Sequence, residues 1–113
     1  MATLKEKLQA ARQVGLQLGS HRITLRRPTP WEIAKAHASD QRMDVVWAAG
    51  FVIGWDLTEA DVIPGGLPEP APFDGEVFAL WIQDYPDHWP TLVNGVVAAY
   101  QDHERAQAER KNA

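Results

Sequence analysis

Cysteine is absent from the chain. A disulfide framework, a thiolate nucleophile and a cysteine-ligated zinc site are therefore excluded. Serine is nearly absent too: Ser20 and Ser39 are the only two, and neither stands in a Gly-x-Ser-x-Gly setting. Gly65-Gly66 is not followed by Lys-Ser/Thr, so a phosphate-cradling loop of the common kinds is missing. The longest apolar stretch, Val45 to Trp55, has 11 residues and contains two glycines, whereas a membrane span needs roughly 20. At the N-terminus, Leu4, Leu8, Leu16 and Leu18 are interrupted by Lys5, Glu6, Lys7, Gln9 and Arg12, so no signal peptide is expected. These absences lead to the expectation of a soluble, cytoplasmic protein.

What is there fits one ordinary domain, residues 1–113, with 45% hydrophobic and 23% charged residues. The net charge of −4 is unevenly spread. Residues 1–30 hold six Lys/Arg and one Glu, while residues 31–113 hold five Lys/Arg and fourteen Asp/Glu. The acidic body argues against a nucleic-acid binder. Arg22, Arg26 and Arg27 are the densest part of the basic start. They can be read as phosphate contacts or as a solvated strand edge and helix face.

Capping chemistry marks the elements. Thr3 with Glu6 predicts a first helix with Leu4, Leu8, Ala11 and Leu18 on one stripe and a stop at Gly19. This helix, within residues 1–19, is poor in large apolar residues and is expected to dock loosely. Ile23 and Leu25 alternate with polar neighbours, which predicts a short half-buried strand from His21 to Arg27. Thr29-Pro30-Trp31-Glu32 joins an N-cap, a proline at the first helical position and a capping-box glutamate. A helix from Pro30 to about Ala38 follows, then another from Gln41 to Phe51. Val52 to Leu57 reads as either a helix end or a buried strand. Thr58 caps a single turn, and Pro64 to Pro72, with four prolines, is a loop. Asp74 caps a helix carrying Val77, Phe78, Trp81, Ile82 and Tyr85. The last helix carries Leu92, Val93, Val96, Val97 and Tyr100, and its polar extension, residues 101–113, is expected to fray. The fold class is therefore mainly α with a small β element (α+β), with about four to five helices and one or two short strands. The expected core is Trp47, Phe78, Trp81, Ile82, Val93, Val96, Val97 and Tyr100.

No constellation of catalytic residues emerges. His88 and His103 lie near acids, but Asp102 and His103, being adjacent on a helix, point to different faces. His37 lies between two alanines. Asp56, Asp61 and Asp74 are accounted for by turns and caps. No catalytic residue, metal site or cofactor is expected. The chain has five tryptophans, and a small domain has difficulty covering them all. Trp31 and Trp89, near helix starts beside proline, are the expected partner-binding residues, together with Leu4, Leu8, Arg26 and Arg27.

The order of several pieces gives a resemblance. Leu25-Arg26-Arg27-Pro28-Thr29 leads into a helix, and an apolar stretch ends in Gly54-Trp55-Asp56-Leu57-Thr58. A proline-bearing loop closes with Pro70-Ala71-Pro72-Phe73-Asp74, Asp84-Tyr85-Pro86 makes a break, and Ala98-Ala99-Tyr100 stands near the end. Over about residues 22–100 the chain resembles the tail assembly chaperones of long-tailed bacteriophages and prophages. The resemblance implies binding of the tape measure protein and of tail tube subunits in the host cytoplasm, without catalysis. Salt-sensitive self-association is a further expectation. The alternatives are a head–tail completion or tail-terminator protein retained in the virion, and a small ligand-binding domain or enzyme using residues 52–74 as a cleft.

Overall fold

The computed structural model describes residues 1–112. Among these residues are six α-helices and a three-stranded antiparallel sheet, an α+β fold. The first helix, α1 (Leu4–Ala11), is capped by the Thr3 hydroxyl, which accepts from the Glu6 N–H at 3.1 Å. It ends at Ala11, not at Leu18. Residues Gln13–Leu18 form strand β1, which corrects the expectation of one helix through residues 1–19. The cause is a two-residue alternation of Val14, Leu16 and Leu18 with Gln13, Gly15 and Gln17. Helical spacing leaves these leucines without a common face, whereas strand spacing gives them one. A two-residue turn, Gly19-Ser20, reverses the chain into β2 (His21–Arg26). Gly19 has φ +64°, a conformation such hairpin turns require and glycine adopts at no steric cost.

In the hairpin, Val14 faces Leu25 and Leu16 faces Ile23. Ile23 and Leu25 are fully buried, as their alternation predicts. On the opposite face Gln13, Gly15 and Gln17 lie across from Arg26, Thr24 and Arg22, so that side of the sheet is polar and open. Strand β3 (Val52–Trp55) pairs with the other edge of β2 and carries a register shift opposite Thr24/Leu25. This resolves Val52 to Trp55 as strand.

Helix α2 (Pro30–Ala38) has the predicted bounds. Helix α3 (Val45–Ala49) is shorter than the expected Gln41–Phe51. Asp44 Oδ1 accepts from the N–H groups of Val46 and Trp47, each at 3.1 Å, and so starts the helix late. The Gln41 N–H donates back to the Ala36 carbonyl at 2.8 Å and closes α2 instead. Helix α4 (Glu59–Val62) is the single turn capped by Thr58. Helix α5 (Gly75–Ile82) starts at the Asp74 cap. After a 3-10 turn at Pro86–His88, α6 runs 24 residues, from Trp89 to Asn112.

Helix α5 packs against β3 and α6 against β1, while α3 packs against both helices. The core joins Leu18, Ile23 and Leu25 of the hairpin to Phe51, Val52, Leu57, Phe78, Trp81, Ile82, Leu92 and Val96. Of the expected core, Phe78, Trp81, Ile82 and Val96 are buried. Trp47 and Val93 are half-buried and pack against this core, whereas Val97 and Tyr100 are half-buried and do not belong to it, which corrects the assignment of those two. The buried line on α6 is Leu92, Val96 and Ala99; the other apolar residues flank it. The polar extension from Gln101 is helical through Asn112, while Ala113 lies outside the described residues. Once a helix is nucleated by packing, each added Ala, Gln, Glu or Arg extends it at little cost.

Candidate functional site

The five tryptophans fall into two groups. Three hold the fold together through their indole N–H. Trp55 donates to the Ala71 carbonyl at 2.8 Å, Trp81 to the Asp61 carbonyl at 3.1 Å, and Trp89 to the Ile82 carbonyl at 2.7 Å. Trp55 and Trp81 thus anchor both sides of the proline-bearing loop to the core. Trp89, expected at a partner surface, is half-buried and packs against the core. Its ring and single donor link the start of α6 to the end of α5.

The other two, Trp31 and Trp47, line a groove of about 690 Å³ between the end of α1, α2 and the α3 region. Its floor is aromatic. Trp47 meets Phe51 edge-on, with ring centroids 4.9 Å apart. Its wall is an ion pair: Arg26 donates to both Glu32 oxygens, at 2.7 and 3.0 Å. The same guanidinium lies over the Phe51 ring, 4.9 Å from its centroid. Glu32 also accepts from the Thr29 N–H at 3.0 Å, while the Thr29 hydroxyl accepts from the Glu32 N–H at 3.2 Å. The capping box that starts α2 therefore also fixes the groove wall. On the rim, Trp31 is 74% exposed, an uncovered tryptophan one helical position away from a rigid ion pair.

Nearby, α1 buries none of its residues, and Leu4 and Leu8 are 84% and 51% exposed. Arg12, at its C-terminal cap, lines the groove together with Trp31 and Glu32. Of the sequence candidates, the groove unites Trp31 with Arg26, whose charge is already matched by Glu32. Arg27 lines a different hollow, and Leu4 and Leu8 are not among the groove residues. Trp47, Phe51 and Glu32 were missed as site residues. No periodicity joins residues 31, 47 and 51, and only the return of the chain through α3 to the sheet brings them together.

The Glu32 carboxyl is held below its ordinary range, first by the hydrogen bonds from Arg26 and against the opposing effect of burial, with Thr29 assisting. A carboxylate depressed in the folded state stabilises the fold above its unfolded pKa, about 4.3 for glutamate, and that contribution is lost as the pH falls through the folded value. Glu32→Gln is therefore expected to cost about 1–2 kcal/mol at pH 7. Thermal melts should show the gap to the parent narrowing below about pH 4. A gap unchanged at pH 3 would rule out the ion pair as its source.

Residues 52–74 form a second, smaller cleft of about 340 Å³, lined mainly by Trp55, Val62, Ile63, Phe73 and Val77. At the adjoining end of β2, His21 stands 3.6 Å from Asp56 and 4.0 Å from Asp61. Asp61 is committed to the cap: one of its oxygens accepts from the Thr58 N–H at 2.8 Å and the Thr58 hydroxyl at 2.9 Å. Those bonds lower its pKa, the backbone bond most strongly. Among the described residues, no group of three His, Asp or Glu is placed to hold a metal ion, and no helix is long and apolar enough to cross a membrane. Comparison with known proteins finds no protein-family model, curated protein or solved structure that matches the chain.

Proposed function

We propose that the chain is a tail assembly chaperone of a phage or prophage, acting in the bacterial cytoplasm by binding the tape measure protein and tail tube subunits. The observation that carries this reading is Trp31, exposed above the Trp47–Phe51 floor of an open groove. A large aromatic residue left uncovered beside a pre-organised ion pair is the arrangement that protein interfaces use as an anchor. The unburied Leu4 and Leu8 of α1 extend the apolar surface available to an aggregation-prone partner.

Charge placement supports self-association as part of this role. Asp56 and Asp61 stand at the His21 end of β2, while Arg27, with Arg12 near it, stands just past the other end, about 17 Å away for a six-residue strand. A molecule polarised in this way favours head-to-tail contacts that weaken as salt rises.

The test is co-expression of the full chain with a tape measure fragment that is insoluble alone. The expected outcome is a soluble complex. A fragment that stays insoluble, with the chain found by mass spectrometry in purified virions, would replace the chaperone reading with that of a virion component.

A further inference from the structure

A third hollow, of about 280 Å³, shares no lining residue with the groove. Its walls come from distant parts of the chain: Ala11 at the end of α1, Arg27 just after β2, and His103, Gln107 and Arg110 on α6. The α6 residues recur at intervals of four and three, so they lie on one helical stripe. A backbone hydrogen bond of 2.8 Å, from the Arg27 N–H to the Arg12 carbonyl, fixes the neighbouring corner.

The charges at this corner are not balanced. Among the described residues, Arg12, Arg27 and Arg110 form no ion pair within 4.0 Å, whereas Arg26, next in sequence to Arg27, is fully matched by Glu32. Arg12 borders this corner but lines the groove and not the hollow. Arg27 itself is harder to keep protonated than a free arginine, because of burial first and then repulsion from Arg12, with only Glu104 acting the other way. Arg110 suits the negative end of the α6 dipole. That explanation does not extend to Arg27, which lies at the end of a strand.

Two guanidinium groups, an imidazole and an amide line one small hollow, and N–H donors of this kind are the ones that recognise an oxyanion. We propose that the hollow between Arg27 and the His103–Gln107–Arg110 stripe binds a single oxyanionic group, a phosphate or a carboxylate. The site is local. It takes one charged group from a ligand and does not track a nucleic-acid backbone, which the acidic body of the chain would repel.

The experiment titrates the full chain with inorganic phosphate at constant ionic strength, with chloride as the balancing anion. Arginine Nε–Hε and histidine resonances are followed by NMR. A second arm uses a hexapeptide of alternating Asp and Glu. The expected result is a saturable shift of the Arg27 and Arg110 signals by one or both probes. Arg27→Gln and, separately, the more exposed Arg110→Gln should weaken binding at least tenfold, and Arg22→Gln, on the open face of the sheet, should not. Binding by phosphate alone assigns the source as a phosphate, and binding by the peptide alone assigns it as a protein carboxylate. A response that stays linear, equals that to chloride, or persists in both Arg27→Gln and Arg110→Gln overturns the proposal. The variants' amide spectra check that each still folds.

Discussion

Phe78→Ala is expected to lower the unfolding free energy by about 3–5 kcal/mol, a large part of the roughly 5–15 kcal/mol that holds a domain of this size together. Phe78 is fully buried and lies on the face of α5 turned to the sheet. Its ring stands 5.8 Å from Trp81 and 6.4 Å from Trp55. Removing it opens a cavity between two indoles that cannot close around it. Each indole is tethered by a hydrogen bond to the backbone on either side of the proline-bearing loop, and collapse toward the cavity would strain those bonds. The cost should therefore lie at the upper end for a Phe truncation. Leu80→Ala, on the same helix but 67% exposed, is the internal control and should change stability by no more than about 0.5 kcal/mol. Denaturant melts of the three proteins decide the matter. A Phe78→Ala loss below about 1 kcal/mol would mean that α5 does not seat on the sheet as described.

Trp31→Ala should behave in the opposite way, with little effect on folding and a large effect on association. With its side chain mostly in water, Trp31 contributes little packing, and the Thr29–Glu32 cap that starts α2 does not depend on it. Stability should stay within about 0.5 kcal/mol of the parent. If the groove is the docking surface, truncating its one uncovered aromatic residue should weaken partner binding by 2 kcal/mol or more, about 30-fold. Binding of the tape measure fragment by parent and variant, measured by titration calorimetry, gives the comparison. Trp89→Ala is the informative counterpart. It should lower stability, because it removes a bond to the Ile82 carbonyl and a packed ring, and any loss of binding should follow the loss of fold. Equal binding by the parent and Trp31→Ala would exclude the groove as the contact surface.

The polar ends of the elements were legible in the sequence because they depend on residues three or four apart. Thr29 with Glu32, Thr58 with Asp61, and Asp74 before α5 each satisfy helix N–H groups by local bonds that no distant contact alters. Ile23 and Leu25 were legible for the same reason, since strand alternation is local. Residues 13–18 also alternate, yet the preceding cap at Thr3 favoured continuing the helix. Only pairing with β2 made the extended form the better one, because a strand gains its hydrogen bonds from a neighbour and not from itself. The fates of the tryptophans were decided at the same level. All five are large and apolar with one donor, so composition cannot tell which will be covered. Trp55, Trp81 and Trp89 found carbonyls of Ala71, Asp61 and Ile82 at sequence separations of 16, 20 and 7. Trp31 was left at the rim of a groove whose floor comes from residues 16 and 20 positions further on. The division of the arginines has the same origin. Arg26 and Arg27 are neighbours in sequence, but Arg26 is the last residue of β2 and Arg27 the first beyond it. One meets Glu32 in the groove, and the other lines a separate hollow with Arg110. Local chemistry determined where the helices of this protein begin. Which aromatic and charged groups remained available for a partner was settled only when distant segments closed over the sheet, because burial depends on which segments meet in space.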